Sequence, residues 1–378
     1  MTDILISAGE ASSDMYGARL ATALGERTGV KLFGMGGPRM AAAGVELIAD
    51  YHEVAVVGIT EVLHKIPTVV SVQNRLAREA AKRGASLAIL IDSPGTHLGV
   101  ARRLKKHGIR VGYFIGPQVW AWRAGRVRVV KRLVNHMVVI FPFEEKIYRD
   151  AGVPCDFVGH PLADVVHASM TRDEFAAQHG LNPEDLIVTL LPGSRRNEIA
   201  QHYSRILDAC ELLARDTKAT GGIQFLHVAA PGLAPEIFAE ADAHRPRLRI
   251  KRIEGQAYDA LAAADCAIVA SGTATIEAAL LGTPMVVIYR VAPVTATIVK
   301  PMLRTPFISM ANLVAGRRVV PELIQDNFTA AAVAEQVRFL LESAQATDEM
   351  KAGLREVRAK LGSGGAIERA ADIFARML

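Results

Sequence analysis

The sequence predicts two doubly wound α/β domains that face a cleft, each built on a parallel sheet with helices on both faces. Apolar runs of four to seven residues alternate with segments of helical periodicity over nearly the whole length, which is typical of buried parallel strands. This series occurs twice, on either side of a stretch punctuated by Gly and Pro (159–183). The 378 residues suffice for two cores. We therefore expect an N-terminal domain over 1–165, a second domain over 166–345 and a helical tail over 346–378.

The predicted strands are short apolar runs bounded by turn residues. In the first domain they are Ile4–Ala8, Leu87–Ile91, Val111–Ile115 and Met137–Ile140. In the second they are Ile187–Leu191, Phe225–Ala229, Leu248–Lys251, Cys266–Ala270 and Met285–Tyr289. The helices predicted between them are Asp14–Arg27, Val69–Arg83, Val100–His107, Glu198–Ala214, Pro235–His244 and Thr273–Leu281.

The chain from Ala330 onward has a helical pattern that is interrupted at 362–365, where the sequence is GSGG. It offers neither sheet a further strand, so we expect it to pack on the N-terminal domain or on a partner subunit. A homodimer is therefore one of the expected arrangements.

Composition narrows the class of protein. Half of the residues are hydrophobic and the mean hydropathy is +0.20, as in a globular protein. The three cysteines (Cys155, Cys210 and Cys266) are far apart, which argues against a disulfide framework and a cysteine zinc site and favours a reducing compartment. The first residues, MTDILISAGE, do not resemble a signal peptide, and no apolar run approaches the ~18 residues of a spanning helix. We expect a cytoplasmic protein, or one on a membrane surface.

The net charge of +5 is moderate, but basic residues cluster at 101–110 (ARRLKKHGIR) and at 122–132 (WRAGRVRVVKR). Each cluster by itself is explained by solvated helix faces. Together they indicate an anionic partner, either a phosphorylated substrate or an acidic lipid surface. No nucleic-acid-binding module accompanies them, so nucleic acid is not expected.

Ligands of open α/β sheets bind at the carboxyl ends of the strands. Two such loops of the second domain suit a diphosphate. In PGSRRNE (192–198), Gly193, Ser194 and Arg195 stand where a helix begins, and a helix start offers free N–H groups and a positive dipole end. The alternative for this loop alone is a polar turn with solvated arginines.

The second of these loops is SGTATIE (271–277). Ser271, Gly272 and Thr273 can present N–H groups and hydroxyls to phosphate, and Glu277, one turn further on, can accept from ribose hydroxyls. An ordinary helix cap with a solvated Glu is the alternative. Neither loop matches GxxxxGK[ST] or GxGxxG, so ATPase and NAD chemistry are not favoured. The two loops together suit a nucleoside diphosphate that acts as a leaving group.

Ten segments, in this order, resemble the lipid-A-disaccharide synthase family from about residue 3 to about residue 325. They are AGEASSD, GPRM, VVGITEVL, IDSPG, PQVWAW, FPFE, FVGHPLAD, LLPGSRRNEI, SGTATIEA and ISMANLVAGR. The resemblance implies two Rossmann-like domains in the GT-B arrangement. It implies an inverting enzyme that joins UDP-2,3-diacylglucosamine to 2,3-diacylglucosamine 1-phosphate (lipid X) through a β-1,6 bond and releases UDP. It further implies an enzyme that works on the inner face of a bacterial inner membrane and that needs no cofactor or metal. The sequence agrees with the last point, because it contains no Asp-x-Asp pair to hold a metal ion.

The resemblance also assigns roles to residues. Asp92 corresponds to the family's proposed general base, and Glu10 in the neighbouring loop is the fallback. Arg195, with the Gly193 and Ser194 amides, would stabilise the departing diphosphate, and Asn312 joins the residues expected to contact the nucleotide sugar. Two loops depart from the family's pattern: Ser13 stands where members commonly carry Gly, and Gly95 stands where they carry a second Asp.

An apolar face at 53–70 contains Ile59, Val62, Leu63 and Ile66, followed by Val70. A core helix is the usual explanation of such a face. Because the implied substrates carry acyl chains, contact with membrane or acyl groups is the second interpretation.

Two further hypotheses stay open. One is another GT-B enzyme that uses UDP-N-acetylglucosamine, such as a peptidoglycan glycosyltransferase or a 2-epimerase. The other is a two-domain sugar-binding protein without enzymatic activity.

Overall fold

The structure is a computed structural model that describes residues 3–54, 59–117, 125–216, 222–299 and 305–378. The chain divides into two compact units. The first comprises residues 1–164 together with 361–378, and the second comprises residues 165–360.

The first unit is built on a parallel sheet in the order β3-β2-β1-β4-β5-β6-β7. Its strands are β1 (Asp3–Ala8), β2 (Lys31–Gly36), β3 (Glu46–Asp50), β4 (Leu87–Ile91), β5 (Arg110–Phe114), β6 (His136–Val139) and β7 (Cys155–Phe157). Its helices are α1 (Ala11–Thr28), α2 (Pro38–Ala42), α3 (Ile59–Lys82), α4 (Pro94–Lys106), α5 (Arg126–Leu133), α6 (Pro142–Asp150) and, from the end of the chain, α16 (Ala366–Ala375).

The second unit has a parallel sheet in the order β10-β9-β8-β11-β12-β13. Its strands are β8 (Leu186–Leu191), β9 (Ile223–Ala229), β10 (Ile250–Glu254), β11 (Cys266–Ala270), β12 (Met285–Tyr289) and β13 (Glu322–Ile324). Its helices are α7 (Arg172–His179), α8 (Arg196–Asp216), α9 (Glu236–Ala243), α10 (Ala257–Ala262), α11 (Ala274–Leu281), α12 (Pro293–Val299), α13 (Met310–Ala315), α14 (Ala330–Glu342) and α15 (Ala344–Leu361).

Two doubly wound α/β units with a helical end are what the sequence predicted. All nine predicted strands are present, and only β10 lies two to three residues further along than expected. The sequence did not reveal β2, β3, β7 and β13. The reason is clearest in β2, whose apolar run is broken by Gly34: a Cβ there would lie 1.9 Å from the Ile6 carbonyl oxygen of the adjacent strand.

The first sheet is covered on both faces, as buried parallel strands require. The apolar sides of α3, α4 and α5 pack on one face around Leu76, Leu104 and Val130. On the opposite face, Phe374 of α16 lies edge-on to Phe114, with ring centroids 6.5 Å apart.

The loop before α2 is held by a buried carboxylate. Asp14 of α1 accepts from the backbone N–H groups of Gly37 (2.7 Å), Arg39 (3.1 Å) and Met40 (3.2 Å). This contact explains why the Asp of AGEASSD and the GPRM segment occur together: the carboxylate supplies acceptors that a helix N-terminus needs.

The end of the chain is helical, as predicted, and α15 and α16 are separated at Gly362–Gly365. The last helix belongs to the first unit. Arg369 donates to the Val158 carbonyl oxygen (Nε at 2.9 Å), and Asp372 pairs with Arg27 of α1 at 2.6 Å. Within the described part of the chain, no helix combines the length and apolar character needed to cross a bilayer.

Candidate active-site residues

Asp92 follows β4 directly, at the carboxyl end of the sheet of the first unit. Its backbone is in the left-handed region (φ 52°), as is that of Ser93 (φ 46°), which is uncommon for residues other than Gly. The Asp92 N–H donates to the Phe114 carbonyl oxygen at 2.9 Å. The strand therefore ends in a strained turn at Asp92 and Ser93.

The carboxyl groups of Asp92 and Glu10 share a hydrogen bond. Burial, followed by the hydrogen bond and the negative charge of Glu10, raises the pKa of Asp92 to about 7. Two carboxyl groups in contact hold a proton between them more readily than either does alone. Asp92 is thus poised to exchange a proton near neutral pH, the property that a general base needs.

The two loops meet because β1 and β4 are adjacent parallel strands. Gly9 lies so close to the second loop that a Cβ on it would be 2.4 Å from Ser93 Oγ, so a side chain at position 9 would force the loops apart. On the other side, Glu10 begins α1 as its N-cap, with its N–H donating to Ser13 Oγ at 3.0 Å and its carbonyl accepting from the same hydroxyl at 2.9 Å. Ser13 therefore orders the Glu10 loop in a way that a Gly there could not.

His97 in α4 fixes the backbone of Asp92. Its Nδ1 lies 2.7 Å from the Asp92 carbonyl oxygen, and its Nε2 lies 2.9 Å from Ser7 Oγ. A carbonyl only accepts, so Nδ1 carries the proton and Ser7 donates to Nε2. Burial lowers the pKa of His97 to about 4, which keeps the ring neutral. The Tyr113 hydroxyl donates to the same carbonyl at 2.6 Å.

Gly95 lies in the first turn of α4, and a Cβ there would meet no atom within 4 Å. The space that the family's second Asp would occupy is therefore open in this chain. Among the described residues of this loop, Asp92 is the acid that remains.

In the second unit, the loop after β8 is folded around a carboxylate. Glu198 accepts from the N–H groups of Ser194 (3.0 Å) and Arg195 (3.3 Å), and its other oxygen pairs with Arg195 Nη1 at 3.0 Å. Gly193 has φ 128°, and a Cβ there would lie 2.6 Å from Glu198 Oε2. The Glu198 carboxylate therefore already occupies the Ser194 amide, one of the two amides that the sequence assigned to phosphate. A diphosphate would displace it or bind the exposed guanidinium of Arg195 beside it.

The same loop is tied to the neighbouring part of the sheet by His202. Its Nδ1 donates to the Pro192 carbonyl oxygen at 2.7 Å, and its Nε2 accepts from the Arg290 N–H at 2.9 Å. Burial lowers the pKa of His202, which favours this neutral tautomer. The ring thereby joins the ends of β8 and β12.

The loop after β11 adjoins the loop after β8 because these two strands pair. The N–H of Ser271 donates to the Ile288 carbonyl oxygen (2.9 Å), and its hydroxyl donates to the Ile308 carbonyl oxygen (3.0 Å). Gly272 has φ 150°, and Thr273 is the N-cap of α11. Of the N–H groups that start α11, those of Thr275 and Ile276 already donate to the carbonyl oxygens of Gly272 (3.1 Å) and Thr273 (2.9 Å), so what this helix start offers an anion is chiefly the positive end of its dipole.

Glu277 is partly buried one turn into α11 and forms a hydrogen bond with Tyr258 of α10. Burial raises the pKa of Glu277, and the Tyr258 hydrogen bond opposes that rise. Burial also raises the pKa of Tyr258, to about 12. A carboxylate held in one orientation by a phenol is suited to accept from a pair of ribose hydroxyls.

Asn312 is fully buried, and its side-chain amide forms hydrogen bonds with the loop that follows α13. Its Nδ2 donates to the Val320 carbonyl oxygen (2.9 Å) and to Glu322 Oε1 (2.8 Å), while its Oδ1 accepts from the N–H groups of Val319 (2.6 Å) and Val320 (2.9 Å). To contact a nucleotide sugar, Asn312 would have to give up one of these bonds. The geometry favours a role in shaping the loop.

The apolar face predicted at 53–70 is only partly described. The side chains of Ile59, Val62 and Leu63 lie outside the described residues. Ile66 and Val70 of α3 are described, and they are 49% and 39% exposed. These two are therefore surface residues, not members of a core.

Sequence reasoning missed the residues that hold the candidate groups: His97, Tyr113, Glu198, His202 and Tyr258. One signal was available, since His97 falls on the buried stripe of α4 that also carries Val100 and Leu104. A polar residue on such a stripe needs a buried partner. Tyr113, His202 and Tyr258 become partners only through the fold, whereas Glu198 lies only three residues after Arg195 and four after Ser194.

Known proteins resemble the chain along its whole length. Residues 4–374 match the family model described as lipid-A-disaccharide synthetase. Lipid-A-disaccharide synthase of Geobacter metallireducens is 45% identical over 381 residues, which cover 99% of this chain and 97% of the relative. That of Solibacter usitatus is 44% identical over 373 residues, with 98% and 96% covered.

Solved structures show the fold at much lower identity. A UDP-GlcNAc 2-epimerase of Neisseria meningitidis, bound to UDP-GlcNAc, has a TM-score of 0.69 at 13% identity and covers 99% of this chain and 100% of its own. A calicheamicin glycosyltransferase has a TM-score of 0.59 at 16% identity, with 100% and 98% covered. The architecture is that of GT-B glycosyltransferases. With the family match over residues 4–374, it follows that the chain belongs to the lipid-A-disaccharide synthase family, glycosyltransferases of lipid A biosynthesis.

Proposed function

We propose that the protein transfers 2,3-diacylglucosamine from its UDP derivative to the 6-hydroxyl of 2,3-diacylglucosamine 1-phosphate, with inversion at the anomeric carbon. The observation that carries the proposal is the pair formed by Asp92 and Glu10 at the carboxyl end of β4. A base of this kind is what a direct displacement requires, because the attacking hydroxyl must lose its proton.

The reaction then follows in one step. Asp92 takes the proton of the acceptor hydroxyl, and the hydroxyl oxygen bonds to the anomeric carbon of the donor. The bond between that carbon and the phosphate oxygen breaks, and its electron pair leaves with UDP. Arg195 and the N-terminus of α11 stabilise the charge that grows on the diphosphate. Glu277, held by Tyr258, binds the ribose.

We further propose that the enzyme works at the cytoplasmic face of the inner membrane, where acylated substrates of this kind reside. The exposed Ile66 and Val70 support this placement, since both are large apolar side chains open to solvent on one helix. Ile59, Val62 and Leu63 belong to the same proposed membrane or acyl contact.

The decisive experiment measures UDP release from the acylated donor with and without the acylated acceptor. We expect release only with acceptor present, and we expect EDTA not to stop it, because the sequence has no Asp-x-Asp pair to hold a cation. Equal turnover of UDP-N-acetylglucosamine in the absence of acceptor would favour the 2-epimerase hypothesis. UDP-sugar binding without any turnover would favour a sugar-binding protein.

A further inference from the structure

The edge strand β13 and the residue that follows it carry two polar side chains, Glu322 and Gln325, that bind other loops of the second unit. In the sheet, β12 lies between β13 and β11, and β11 lies between β12 and β8. Neighbouring strands are about 4.8 Å apart, so β13 is about 10 Å from β11 and about 14 Å from β8. Glu322 and Gln325 can therefore act on the two diphosphate loops, which follow β8 (192–198) and β11 (271–277), only through other residues.

Glu322 fixes the segment that begins α13. Its Oε2 accepts from the Ile308 N–H at 3.0 Å. Its Oε1 accepts from the Ser309 N–H at 2.9 Å and from Asn312 Nδ2 at 2.8 Å. An ionised carboxylate only accepts, so it can bind these three donors at once. The three donors belong to ISMANLVAGR (308–317), one of the segments through which the sequence resembles its family.

The segment held by Glu322 is bonded in turn to the loop after β11. The Ile308 carbonyl oxygen accepts from Ser271 Oγ at 3.0 Å. This carbonyl and the Ser309 N–H belong to the same peptide group, which is planar and rigid. Glu322 therefore binds one side of that peptide group while Ser271 binds the other. The position of Ser271, where the diphosphate loop begins, depends on the carboxylate of Glu322.

Gln325 fixes the loop after β12. Its Oε1 accepts from the Val291 N–H at 2.7 Å, and its Nε2 donates to the Val291 carbonyl oxygen at 3.3 Å. Its own carbonyl oxygen accepts from Arg290 Nη1 at 3.0 Å. Gln325 has φ 53°, in the left-handed region that is uncommon for residues other than Gly. Such a strained backbone persists where surrounding bonds over-determine it, as these three do.

The loop after β12 is connected to the loop after β8 by His202. The Arg290 N–H donates to His202 Nε2 at 2.9 Å, and His202 Nδ1 donates to the Pro192 carbonyl oxygen at 2.7 Å. Pro192 begins the loop that carries Arg195. A ring that is bonded through both nitrogens cannot follow one partner without disturbing the other. A shift of the backbone that Gln325 holds would therefore be passed to the Arg195 loop.

We propose that Glu322 and Gln325 are positioning residues for the donor site: Glu322 holds the loop after β11 through the peptide group between Ile308 and Ser309, and Gln325 holds the loop after β8 through His202. The inference rests on the proposed function, because that function assigns both loops to the diphosphate of the donor. Neither side chain touches the donor. Their contribution is to order the loops before the donor arrives, which lowers the cost of binding and of orientation.

The first test is a double-mutant cycle on UDP affinity, measured by calorimetry without acceptor. Glu322→Gln keeps the size of the side chain but turns an NH₂ group towards a backbone N–H, and Ser271→Ala removes the hydroxyl through which Glu322 acts. We expect each variant to bind UDP about tenfold more weakly, the order of magnitude that one hydrogen bond contributes. The double variant should bind no more weakly than the weaker single variant. Unchanged binding in either single variant, or losses that multiply, would overturn the route through Ser271.

The second test is a double-mutant cycle on turnover. Gln325 reaches the diphosphate only through the loop that carries Arg195, so its effect should depend on Arg195. We expect Gln325→Ala to lower kcat about tenfold in the unmodified protein and less than twofold in the Arg195→Ala protein. Equal losses in the two backgrounds would overturn the role of Gln325, since a general loss of structure does not depend on Arg195.

Asp265→Asn is the matched control for Glu322→Gln. The Asp265 carboxylate also accepts from a backbone N–H, that of Ile187 at 2.8 Å, and from a side chain, Arg172 Nη2 at 2.9 Å. It precedes β11 and so lies at the end of the sheet opposite to the diphosphate loops. We expect both variants to lower the melting temperature, but only Glu322→Gln to weaken UDP binding. Equal losses of UDP affinity in both would overturn the inference, because the cause would then be stability.

The unmodified protein separates this inference from the proposed function. If it does not bind UDP, the proposed function itself is wrong. If it binds UDP and Glu322→Gln binds equally well, only the positioning role is wrong. If Glu322→Gln melts below the assay temperature, the cycle of Gln325 with Arg195 decides the matter by itself.

Discussion

The imidazole Nδ1 of His97 lies 2.7 Å from the carbonyl oxygen of Asp92, within the left-handed turn that presents the Asp92 carboxyl group. The histidine does not touch the carboxyl group in this contact. It holds the main chain, so we regard His97 as a positioning residue for Asp92.

Replacing His97 therefore tests whether that turn matters to catalysis. We expect His97→Ala to lower kcat at least tenfold while KM for the donor changes little, because the base is displaced and the donor loops are untouched. The lost hydrogen bond should also cost about 1–3 kcal/mol of stability. His97→Asn keeps an N–H near the Nδ1 position and should restore much of kcat. If Ala and Asn variants melt alike and turn over alike, the contact is merely structural.

The pairing of Asp92 with Glu10 predicts a pH dependence. A base works only when ionised, so kcat/KM should rise with pH through about 7, the pKa of Asp92. Glu10→Gln removes one of the causes that raise this pKa, so the rise should move to lower pH. The pH profiles of the two enzymes check this. If an active Glu10→Gln enzyme had an unchanged pH profile, the rise of kcat/KM with pH would not come from the ionisation of Asp92.

The ionised carboxyl group of Asp92 should also lower the stability of the folded protein at neutral pH. Its pKa is higher in the folded protein than the ordinary value near 4, so the folded state binds a proton that the unfolded state has released. Stability therefore falls as pH rises from about 4 to about 7. We expect Asp92→Asn to be inactive yet more stable than the unmodified protein at pH 8, by on the order of 2 kcal/mol, and no more stable at pH 4. Thermal melting at the two pH values measures the difference.

Arg195 and Glu277 should affect different steps. Arg195→Ala removes a group that stabilises developing charge, so kcat should fall by about 10²–10³. Glu277→Ala removes a contact to a part of the donor that does not react, so UDP should bind more weakly in calorimetry. Arg196→Ala is the matched control, since Arg196 is the next residue and is also exposed. If Arg196→Ala lost activity to the same degree, the effect of Arg195→Ala would come from the loss of positive charge in this loop and not from a specific contact.

The open space at Gly95 allows the missing acid to be restored. Gly95→Asp should stabilise the protein by about 0.5–1.5 kcal/mol, because it replaces a helical Gly and puts a negative charge on the first turn of α4. Turnover should stay within twofold, since the Cβ of the added side chain meets no atom within 4 Å. Gly95→Asn replaces the helical Gly without adding a charge. It therefore separates the effect of helix propensity from the effect of the negative charge. A large gain in turnover with Asp alone would show that the second acid takes part.

The sequence by itself determined the two α/β units, nine of the thirteen strands in the described residues and the loops that carry the candidate groups. It could do so because buried parallel strands are continuous apolar runs, and because ligand loops of such sheets follow those runs directly. Asp92 and Arg195 were identifiable for this reason. The family resemblance added the expected reaction.

Only the tertiary structure decided which side chains meet. The contact between Asp92 and Glu10 needs β1 beside β4, although 82 residues separate the two positions in the chain. The neutral state of His97 comes from complete burial, which residues from several elements supply. Local pattern specifies elements and loops, whereas burial and charge at a point in space depend on residues that the fold brings from elsewhere in the chain.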